Sequence, residues 1–348
     1  MAARGAHNQR SFDDYMIGWV CGLPKEQTAA VAMLDERHGS FPQPSGDENN
    51  YILGSIGAHN IVITCLPMGI PGLVSASSVS THMFRSFLNI KFCLLVGTAS
   101  GIPNGEKVRL GDVVVGTPKD GFPSVAPWEW GMGSRPSRTR RSRTLADPPS
   151  FVLAALDRLQ AAHGAGESNV SLYLNEMINR DPTLTRYMRS DWFEDILFNP
   201  TYAHRVAVGR RGYGNGEEEE EGGGCRDCDR TQIVRRRARG MRVHYGLIAS
   251  ASIVVKDAEL RDNLNASLQG KALCLCLEME AAGVLNNLPC LVIRGISNYA
   301  DSHKNDVWQE HSAAAAAAFA KDLLGYLSAR DVYRADTAQV VMHAQARR

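Results

Sequence analysis

Short apolar segments that alternate with helical patterns are the feature of this sequence that most constrains its fold. Five such segments precede residue 117, namely MIGWVCG, YILGSIG, NIVITCL, KFCLLVG and DVVVG. They are rich in valine and isoleucine and are bounded by turn residues, as buried strands are. Helical patterns lie between them at 26–36 and 74–87. Strands that alternate with helices indicate an α/β protein built on a central sheet.

The pattern fails between about residues 121 and 240 and then resumes. A basic stretch at 134–144 and a tract of glutamate and glycine at 214–224 interrupt it, and the second tract cannot bury apolar area. Within this region we expect helices at 150–162 and in parts of 181–198. We therefore predict one α/β domain, residues 14–327, with a long and partly disordered insertion and with tails at 1–13 and 328–348.

The second half of the domain is predicted to supply further strands and helices. VHYGLIAS and CLVIRG are typical of strands, and helices are expected at 257–268 and 280–288. The last helix, HSAAAAAAFAKDLLGYL, places Phe319, Leu323 and Leu324 on one face. Both halves of the chain are thus expected to contribute to one sheet.

Composition narrows the classes of partner. The 348 residues carry a net charge of +1 with 22% charged residues, so no basic field indicates nucleic acid or an anionic membrane. The N-terminus is polar, and no apolar run approaches the roughly 18 residues of a membrane span. Most cysteines lie in apolar stretches, which suits reduced thiols and a cytoplasmic or nuclear location. These are Cys21, Cys65, Cys93, Cys274, Cys276 and Cys290.

Residues 276–305, CLEMEAAGVLNNLPCLVIRGISNYADSHKN, place two carboxylates, Glu278 and Glu280, directly before an apolar helix. A glutamate in an apolar neighbourhood is costly unless it is paired, which favours a functional role. Both residues would also suit a first helical turn, where the helix dipole favours negative charge. The residues by themselves leave both interpretations open.

Several motifs, in their order along the chain, resemble those of the purine and uridine nucleoside phosphorylase superfamily. They are GWVCGLPKEQTAA, VGTASGIP followed by RLGDVVVG, and EMEAAG followed by RGISNYADSHKN. The likeness covers roughly residues 14–120 and 243–327. It is strongest to the nucleosidase branch and to fungal phosphorylase-like domains that are often joined to NACHT or repeat modules. The resemblance implies a three-layer domain with a mixed central sheet.

The resemblance also implies roles for three residues. Glu280 matches the glutamate that accepts hydrogen bonds from the ribose hydroxyls, and Met279 matches its neighbour at the sugar. A carboxylate there can also stabilise the oxocarbenium-like sugar of the transition state. Glu26 matches the glutamate that activates water in the nucleosidase branch. An exposed glutamate in a first helical turn is the simpler interpretation of Glu26.

The resemblance also implies that an aspartate protonates the leaving base. This chain has Asn298 at the position of that aspartate. An amide can donate a hydrogen bond to the base, but it has no titratable proton to give. General acid catalysis is typically about 10²–10⁴-fold, so its loss would slow the reaction without silencing it. Asp301, three residues later, is an alternative acid.

Two loops complete the site that the resemblance implies. Gly97, Thr98, Ser100 and Gly101 belong to a small-residue loop whose backbone and hydroxyl groups would hold the sugar or an anion. Ser252 follows the strand VHYGLIAS, where relatives commonly have a Gly-Asn or Gly-Asp pair near the base. The first loop also carries less glycine than that of the fungal relatives.

Two other features were weighed as binding sites. Cys225 and Cys228 form a Cys-x-x-Cys pair with His244 downstream, but one pair without a second is a weak zinc signal, so we expect no metal. The arginine-rich runs at 134–144 and 235–242 are typical of a solvated surface. They could meet the phosphates of a nucleotide.

We therefore expect cleavage of the N-glycosidic bond of a purine nucleoside or nucleotide, without a cofactor and in a homo-oligomer. Water is favoured over phosphate as the acceptor, because Glu26 is present and no arginine occurs in its loop or in LLVGTASG. Two alternatives stay open. One is a catalytically weak nucleoside-binding module for signalling, favoured by Asn298, and the other is a phosphate-dependent phosphorylase.

Overall fold

The computed structural model describes residues 10–104, 107–128, 145, 147–190, 193–205, 225, 227–267 and 274–346. The strands are β1 (Ile17–Cys21), β2 (Glu36–Arg37), β3 (Tyr51–Ile56), β4 (His59–Cys65), β5 (Phe92–Gly101), β6 (Val113–Gly116), β7 (Val125–Trp128), β8 (Val243–Gly246), β9 (Ile248–Ala251), β10 (Cys276–Glu278) and β11 (Cys290–Asn298). The helices are α1 (Pro24–Ala32), α2 (Leu73–Ser86), α3 (Ser150–Gly164), α4 (Val170–Arg180), α5 (Ala258–Ser267), α6 (Ala281–Leu285), α7 (Gln309–Tyr326), α8 (Ala329–Arg334) and α9 (Ala338–Ala346).

The described strands form one mixed sheet in which β5 is the branch point. On one edge β5 pairs in parallel with β11 along almost its whole length. On the other edge it pairs in parallel with β1 up to Leu95 and antiparallel with β10 from Ser100. Residues 96–99 therefore have no strand neighbour on that second edge within the described part of the chain. This gap leaves backbone N–H groups of β5 available to side chains.

Alternation along β1 shows why the sheet has helices on both faces. Ile17, Trp19 and Cys21 are buried in a core that includes residues of α1, α3, α4 and α7. Val20 is buried in a second core with residues of α2 and α6. Because successive strand residues point to opposite faces, this pattern places the sheet between two helical layers. The predicted three-layer α/β fold with a mixed sheet is confirmed.

Helix α7 is more deeply buried than a one-sided apolar face would require. Its residues from His311 to Leu324 are all buried, including the alanine run that the sequence showed. A Cβ atom on Gly295 would lie only 1.9 Å from Ser312 O, so β11 and α7 are in backbone contact. Small side chains permit that approach, and α1, α3 and α4 cover the rest of the helix.

The insertion contributes helices α3 and α4 to the first core. Helix α3 was predicted, whereas α4 was not, and the described residues of 181–198 include a 3₁₀ helix, Pro182–Tyr187. Leu159 of α3 and Met177 of α4 are buried against the rest of the first core. The runs at 134–144 and 214–224 lie outside the described residues.

Two further boundaries differ from the predictions. The segment VHYGLIAS forms two strands, because β8 pairs with β6 whereas β9 pairs with β10 and β7. Helices α8 and α9 lie beyond residue 327, where a tail was expected. Val332 and Ala338 are buried, and Ala338 N donates a hydrogen bond to Ile90 O (2.8 Å).

Candidate active site

Glu26 lies in the first turn of α1, just after the end of β1. Its Oε2 accepts hydrogen bonds from the backbone N–H groups of Gly22 (2.8 Å) and Leu23 (3.1 Å). Its Oε1 accepts from Thr98 N (2.7 Å) and from Thr98 Oγ1 (3.0 Å), within the unpaired part of β5. Glu26 is 4% exposed, so its carboxylate is held between two strands and is not displayed on the helix surface.

A second group of charges forms where β10 leads into α6. Glu278 ends β10, Glu280 precedes α6, and Arg294 lies in the neighbouring β11. Arg294 Nη2 donates to Glu278 Oε2 and to Glu280 Oε2, the latter at 3.1 Å. Glu278 Oε2 also accepts from the backbone N–H groups of Glu280 (3.0 Å) and Ala281 (2.9 Å). Glu278 thus supports the start of α6, the role that the sequence suggested.

Two glycines bring these groups together. A Cβ atom on Gly97 would lie 2.5 Å from Glu26 Oε2 and 2.7 Å from Arg294 Nη1. A Cβ atom on Gly22 would lie 3.3 Å from Glu26 Oε2 and 3.6 Å from Glu280 Oε1. The side chains of Glu26, Glu280 and Arg294 therefore converge on the space that the two glycines leave open. We call Glu26, Glu278, Glu280 and Arg294 the carboxylate cluster.

The carboxylate cluster carries three acids and one base, so at least one carboxylate lacks a full counter-charge. Burial is the largest cause that raises the pKa of Glu280, and Glu278 and Glu26 add to it, while Arg294 opposes them; the pKa is about 7. Burial would lower the pKa of Arg294, but the neighbouring glutamates raise it above its ordinary value. Glu280 therefore changes charge close to neutral pH, and the guanidinium stays charged.

The remaining predicted binding residues lie along the same edge at different depths. Met279 is half-buried, and its N–H donates to Glu280 Oε2 (3.3 Å). Ser100 and Gly101 pair with Leu277 and Cys276 of β10. Ser252 is exposed and directly follows β9, beside the end of β10.

Asn298 occupies the end of β11. Its Oδ1 accepts from Ala300 N (3.0 Å), and its Nδ2 donates to Ser297 Oγ (3.2 Å). Ala300 has a positive φ of 53°, a backbone conformation that is uncommon for residues other than glycine. The hydrogen bond to the Asn298 amide stabilises this turn. Asn298 is paired with Ser100 in the sheet, after a register shift between Ile296 and Asn298.

Asn298, four residues after Arg294 in β11, borders a cavity of about 340 Å³. Phe198, His303 and Trp308 supply aromatic walls, and Asp301 is also part of the lining, whereas Glu26 and Glu280 are not. Asp301 is 6% exposed, and burial raises its pKa. Phe198 comes from the insertion, which sequence analysis had set aside from the site.

Arg294 is the residue that sequence reasoning missed. Arg294 lies in the predicted strand CLVIRG, and no role was predicted for it. The available signal was an arginine inside the run CLVIRGIS, because a buried guanidinium requires carboxylate partners. His244 was considered as a metal ligand together with the cysteine pair. Its Nε2 instead lies 2.8 Å from Asp112 Oδ2.

The basic run at 235–242 is partly used inside the protein. Arg236 donates to Tyr299 OH (2.9 Å) and pairs with Asp195 (2.8 Å). Arg239 pairs with both oxygens of Asp112, at 2.8 and 2.6 Å. Arg235, Arg237 and Arg242 are exposed. The expectation of a uniformly solvated surface is therefore wrong for Arg236 and Arg239.

The fold of this chain is similar to that of solved nucleosidase structures. The native futalosine hydrolase of Helicobacter pylori superposes with a TM-score of 0.54 at 17% identity, over 91% of this chain and 100% of that chain. The 5′-methylthioadenosine/S-adenosylhomocysteine nucleosidase of Neisseria meningitidis, in complex with methylthio-immucillin-A, has a TM-score of 0.53 at 15% identity, over 89% and 98% of the two chains. The chain therefore shares its fold with these two nucleosidases.

Sequence relatives extend the likeness to larger proteins. A nucleotide-binding leucine-rich repeat (NLR)-like protein of Hyaloscypha variabilis is 38% identical over 318 residues, which are 91% of this chain and 30% of that protein. The ATP nucleosidase Cap17 of Escherichia coli is 37% identical over 92 residues, which are 25% of this chain and 18% of that protein. The chain thus spans less than a third of the length of either relative. No family model matches it.

Across the described residues, no helix is both long enough and apolar enough to cross a bilayer.

Proposed function

We propose that the protein hydrolyses the N-glycosidic bond of a purine nucleoside or nucleotide. The observation that carries this proposal is the convergence of Glu26 and Glu280 on the space beside Gly22 and Gly97. The fold that the chain shares with futalosine hydrolase and with a methylthioadenosine nucleosidase supports the reaction class.

In this mechanism the carboxylate cluster acts on the sugar and on water. Glu280 accepts hydrogen bonds from ribose hydroxyls and stabilises the positive charge that develops on the sugar as the bond to the base breaks. Glu26 accepts a proton from a water molecule whose oxygen attacks the anomeric carbon. The base leaves with the electron pair of the broken bond. Asn298 can donate a hydrogen bond to it, and the proton must then come from another donor, such as solvent.

The charges of the site favour water over phosphate as the nucleophile. Glu26, Glu278 and Glu280 would repel a phosphate anion at this position. Arg294, which is 1% exposed, already donates to Glu278 and Glu280. A phosphate-dependent phosphorylase would need a free cationic group here. A water molecule needs only a carboxylate that accepts its hydrogen bonds.

The cavity around Asn298 supports an aromatic base as ligand. Phe198 and Trp308 offer apolar faces, and the amide of Asn298 can orient the base. A nucleotide substrate is supported by the name of one relative, an ATP nucleosidase, and by the exposed Arg235, Arg237 and Arg242. The homo-oligomer stays a prediction.

The alternative function is a nucleoside-binding module with little turnover, and Asn298 is the residue that favours it. Loss of the general acid lowers the rate, whereas binding needs only the cavity and the carboxylate cluster. The NLR-like relative supports a signalling context for either function.

Purified protein incubated with ATP, AMP, adenosine, inosine, guanosine and methylthioadenosine tests the proposal. Free base is measured by chromatography, with and without phosphate, and the sugar product is identified by mass. We expect phosphate-independent release of base from at least one substrate and a free 1-hydroxyl on the sugar. Release of a sugar 1-phosphate would establish the phosphorylase, and binding without release would establish the binding module.

A further inference from the structure

Outside the carboxylate cluster, three metal-ligating side chains from distant parts of the sequence meet at one point. His204, Cys228 and His303 each place one ligand atom within 4.8 Å of the other two. Cys228 Sγ is 3.2 Å from His204 Nδ1, and the rings of His204 and His303 are perpendicular with centroids 5.4 Å apart. Nothing in the candidate reaction uses these groups.

His303 is the member of this group whose environment calls for a ligand. It is 8% exposed, and neither of its ring nitrogens has a hydrogen-bond partner among the described residues. Its Nδ1 is 4.0 Å from Asp301 Oδ1, which is too long for a hydrogen bond. Phe198 stacks on the ring at 4.0 Å between centroids and holds it in place. A buried imidazole without partners is costly unless something occupies it.

Cys225 is the fourth candidate ligand, because its thiol interacts with that of Cys228, although it is not one of the three ligand groups whose atoms lie within 4.8 Å of one another. Cys228 N donates to Cys225 O (3.4 Å), so the two cysteines share a tight turn. Cys225 also borders the cavity that His303 lines. The spacing Cys-x-x-Cys is the usual one for two ligands of a structural zinc ion. Two ligands of one tetrahedral zinc ion lie roughly 3.5 Å apart, so the ligand atoms of His204, Cys228 and His303, which are within 4.8 Å of one another, would need to close by about 1.3 Å at most.

We propose that His204, Cys225, Cys228 and His303 bind one zinc ion. Two thiolates balance the charge of Zn²⁺, and the two thiol protons are released to solvent on binding. Two imidazoles and two thiolates are a donor set that selects zinc over magnesium or calcium. A simple hydrogen bond between Cys228 and His204 would explain their own contact, but it would leave both nitrogens of His303 unpartnered.

The ion would join three segments that are far apart in sequence. His204 belongs to segment 193–205, the cysteines lie on the other side of residues 206–224, and His303 follows β11. His204 N already donates to Ser302 Oγ (2.9 Å). Because His303 and Asn298 border the same cavity, the ion would fix one wall of that cavity. Four protein ligands leave no open position, so the site is structural.

This proposal departs from the expectation of no metal that the cysteine pair gave. The sequence pattern offered His244 as the third ligand, whereas the structure supplies His204 and His303. Neither histidine lies at a recognised spacing from the cysteines, so no sequence pattern groups them with the pair.

Metal content tests the proposal directly. The full chain is prepared without a metal-affinity tag, dialysed against a weak chelator and analysed for metals by mass spectrometry. We expect about one zinc ion per chain, retained by Cys65→Ser and lost by Cys228→Ser and by His303→Ala. Cys65 is a matched control, because it is a half-buried free thiol in β4. Zinc that dialysis removes, or that Cys228→Ser retains, would mean an adventitious ion only.

Cobalt substitution keeps the test valid if a ligand variant fails to fold. Wild-type protein stripped of zinc and loaded with Co²⁺ should show the charge-transfer absorption of thiolate-bound cobalt, with the visible bands of tetrahedral coordination. Cys225→Ser should lower the charge-transfer intensity by about half, since one of two thiolates is lost. Stripping should also lower the melting temperature by at least about 5 °C. Wild-type protein with octahedral cobalt and no charge-transfer band would overturn the proposal.

Discussion

The two ends of the candidate site are built in different ways. The carboxylate cluster lies where β1, β5, β10 and β11 meet, and most of its polar atoms are hydrogen-bonded within the protein. Glu26, for example, has four donors. The cavity at Asn298 is instead enclosed by aromatic and histidine side chains, and Phe198 comes from the insertion.

In the proposed mechanism this difference would separate the chemistry of the sugar from the recognition of the base. The groups that would stabilise a sugar cation and activate water are fixed by the sheet itself. The cavity at Asn298 is lined by the end of β11 with the residues that follow it, and by the insertion, which supplies Phe198. Asn298, the amide at the position of the expected acid, lies in the second region, where the proposed mechanism predicts an effect on leaving-group protonation and none on the carboxylate cluster.

The largest effect should follow from Glu26→Gln. One amide cannot accept all four hydrogen bonds that Glu26 receives, and it cannot take a proton from water. We expect kcat/KM for base release to fall by about 10³-fold. Glu310→Gln is the matched control, because Glu310 lies in the first turn of α7, 3.7 Å from Lys25. That variant should keep its rate within about twofold. Full activity in Glu26→Gln would place the catalytic base elsewhere.

Asn298→Asp should raise the rate, because the leaving base could then receive a proton. We expect a gain of about 10²-fold, at the low end of general acid catalysis, since the side chain must still accept the hydrogen bond of Ala300 N. Base release is assayed across pH, with ligand binding measured in parallel. A variant that binds as before and shows no gain would favour the binding module over the hydrolase.

The pH dependence should give a smaller effect, centred on Glu280. Its carboxylate must be ionised to stabilise the sugar cation, and burial raises its pKa to about 7. The rate should therefore rise about tenfold between pH 6 and pH 8. Glu280→Gln should abolish this rise in the residual activity. A rate that is flat over this range in the wild-type protein would show that ionisation of Glu280 is not required.

The same raised pKa has a defined sign for stability. The folded state holds the proton on Glu280 more tightly than the unfolded state, so its contribution to stability is full below the ordinary glutamate pKa. That contribution is lost as pH rises toward about 7. The melting temperature of wild-type protein should therefore fall relative to that of Glu280→Gln as the pH increases from about 4.5 to 7.

Local motifs predicted most of the sheet and its helices, because the periodicity of apolar residues in a strand or a helix depends only on residues that are close in sequence. The family resemblance pointed to Glu26 and Glu280, whose roles stay predictions; Glu26 lies in the first turn of α1, and Glu280 directly precedes α6. Local motifs missed Arg294, since its importance depends on two glutamates 14 and 16 residues away that pair with it across strands. They also missed the contribution of Phe198 to the cavity. A residue 100 positions before Asn298 reaches it only through the packing of the insertion.

The smallest effect should come from deleting 214–224, a run of glutamates and glycines that lies outside the described residues. Its composition offers no apolar group to bury, so we expect the melting temperature to stay within about 1 °C. The chain can still close, because His204 and Cys228 are in contact across the gap. Residues 206–213 would remain, and eight residues reach about 26 Å when extended.

Phe198→Ala serves as the contrast, because it removes the ring that stacks on His303 and should lower the melting temperature by several degrees. A deletion as damaging as Phe198→Ala would mean that this tract contributes to the packed structure. In that case the tract would have to be counted with the segments that support the cavity at Asn298.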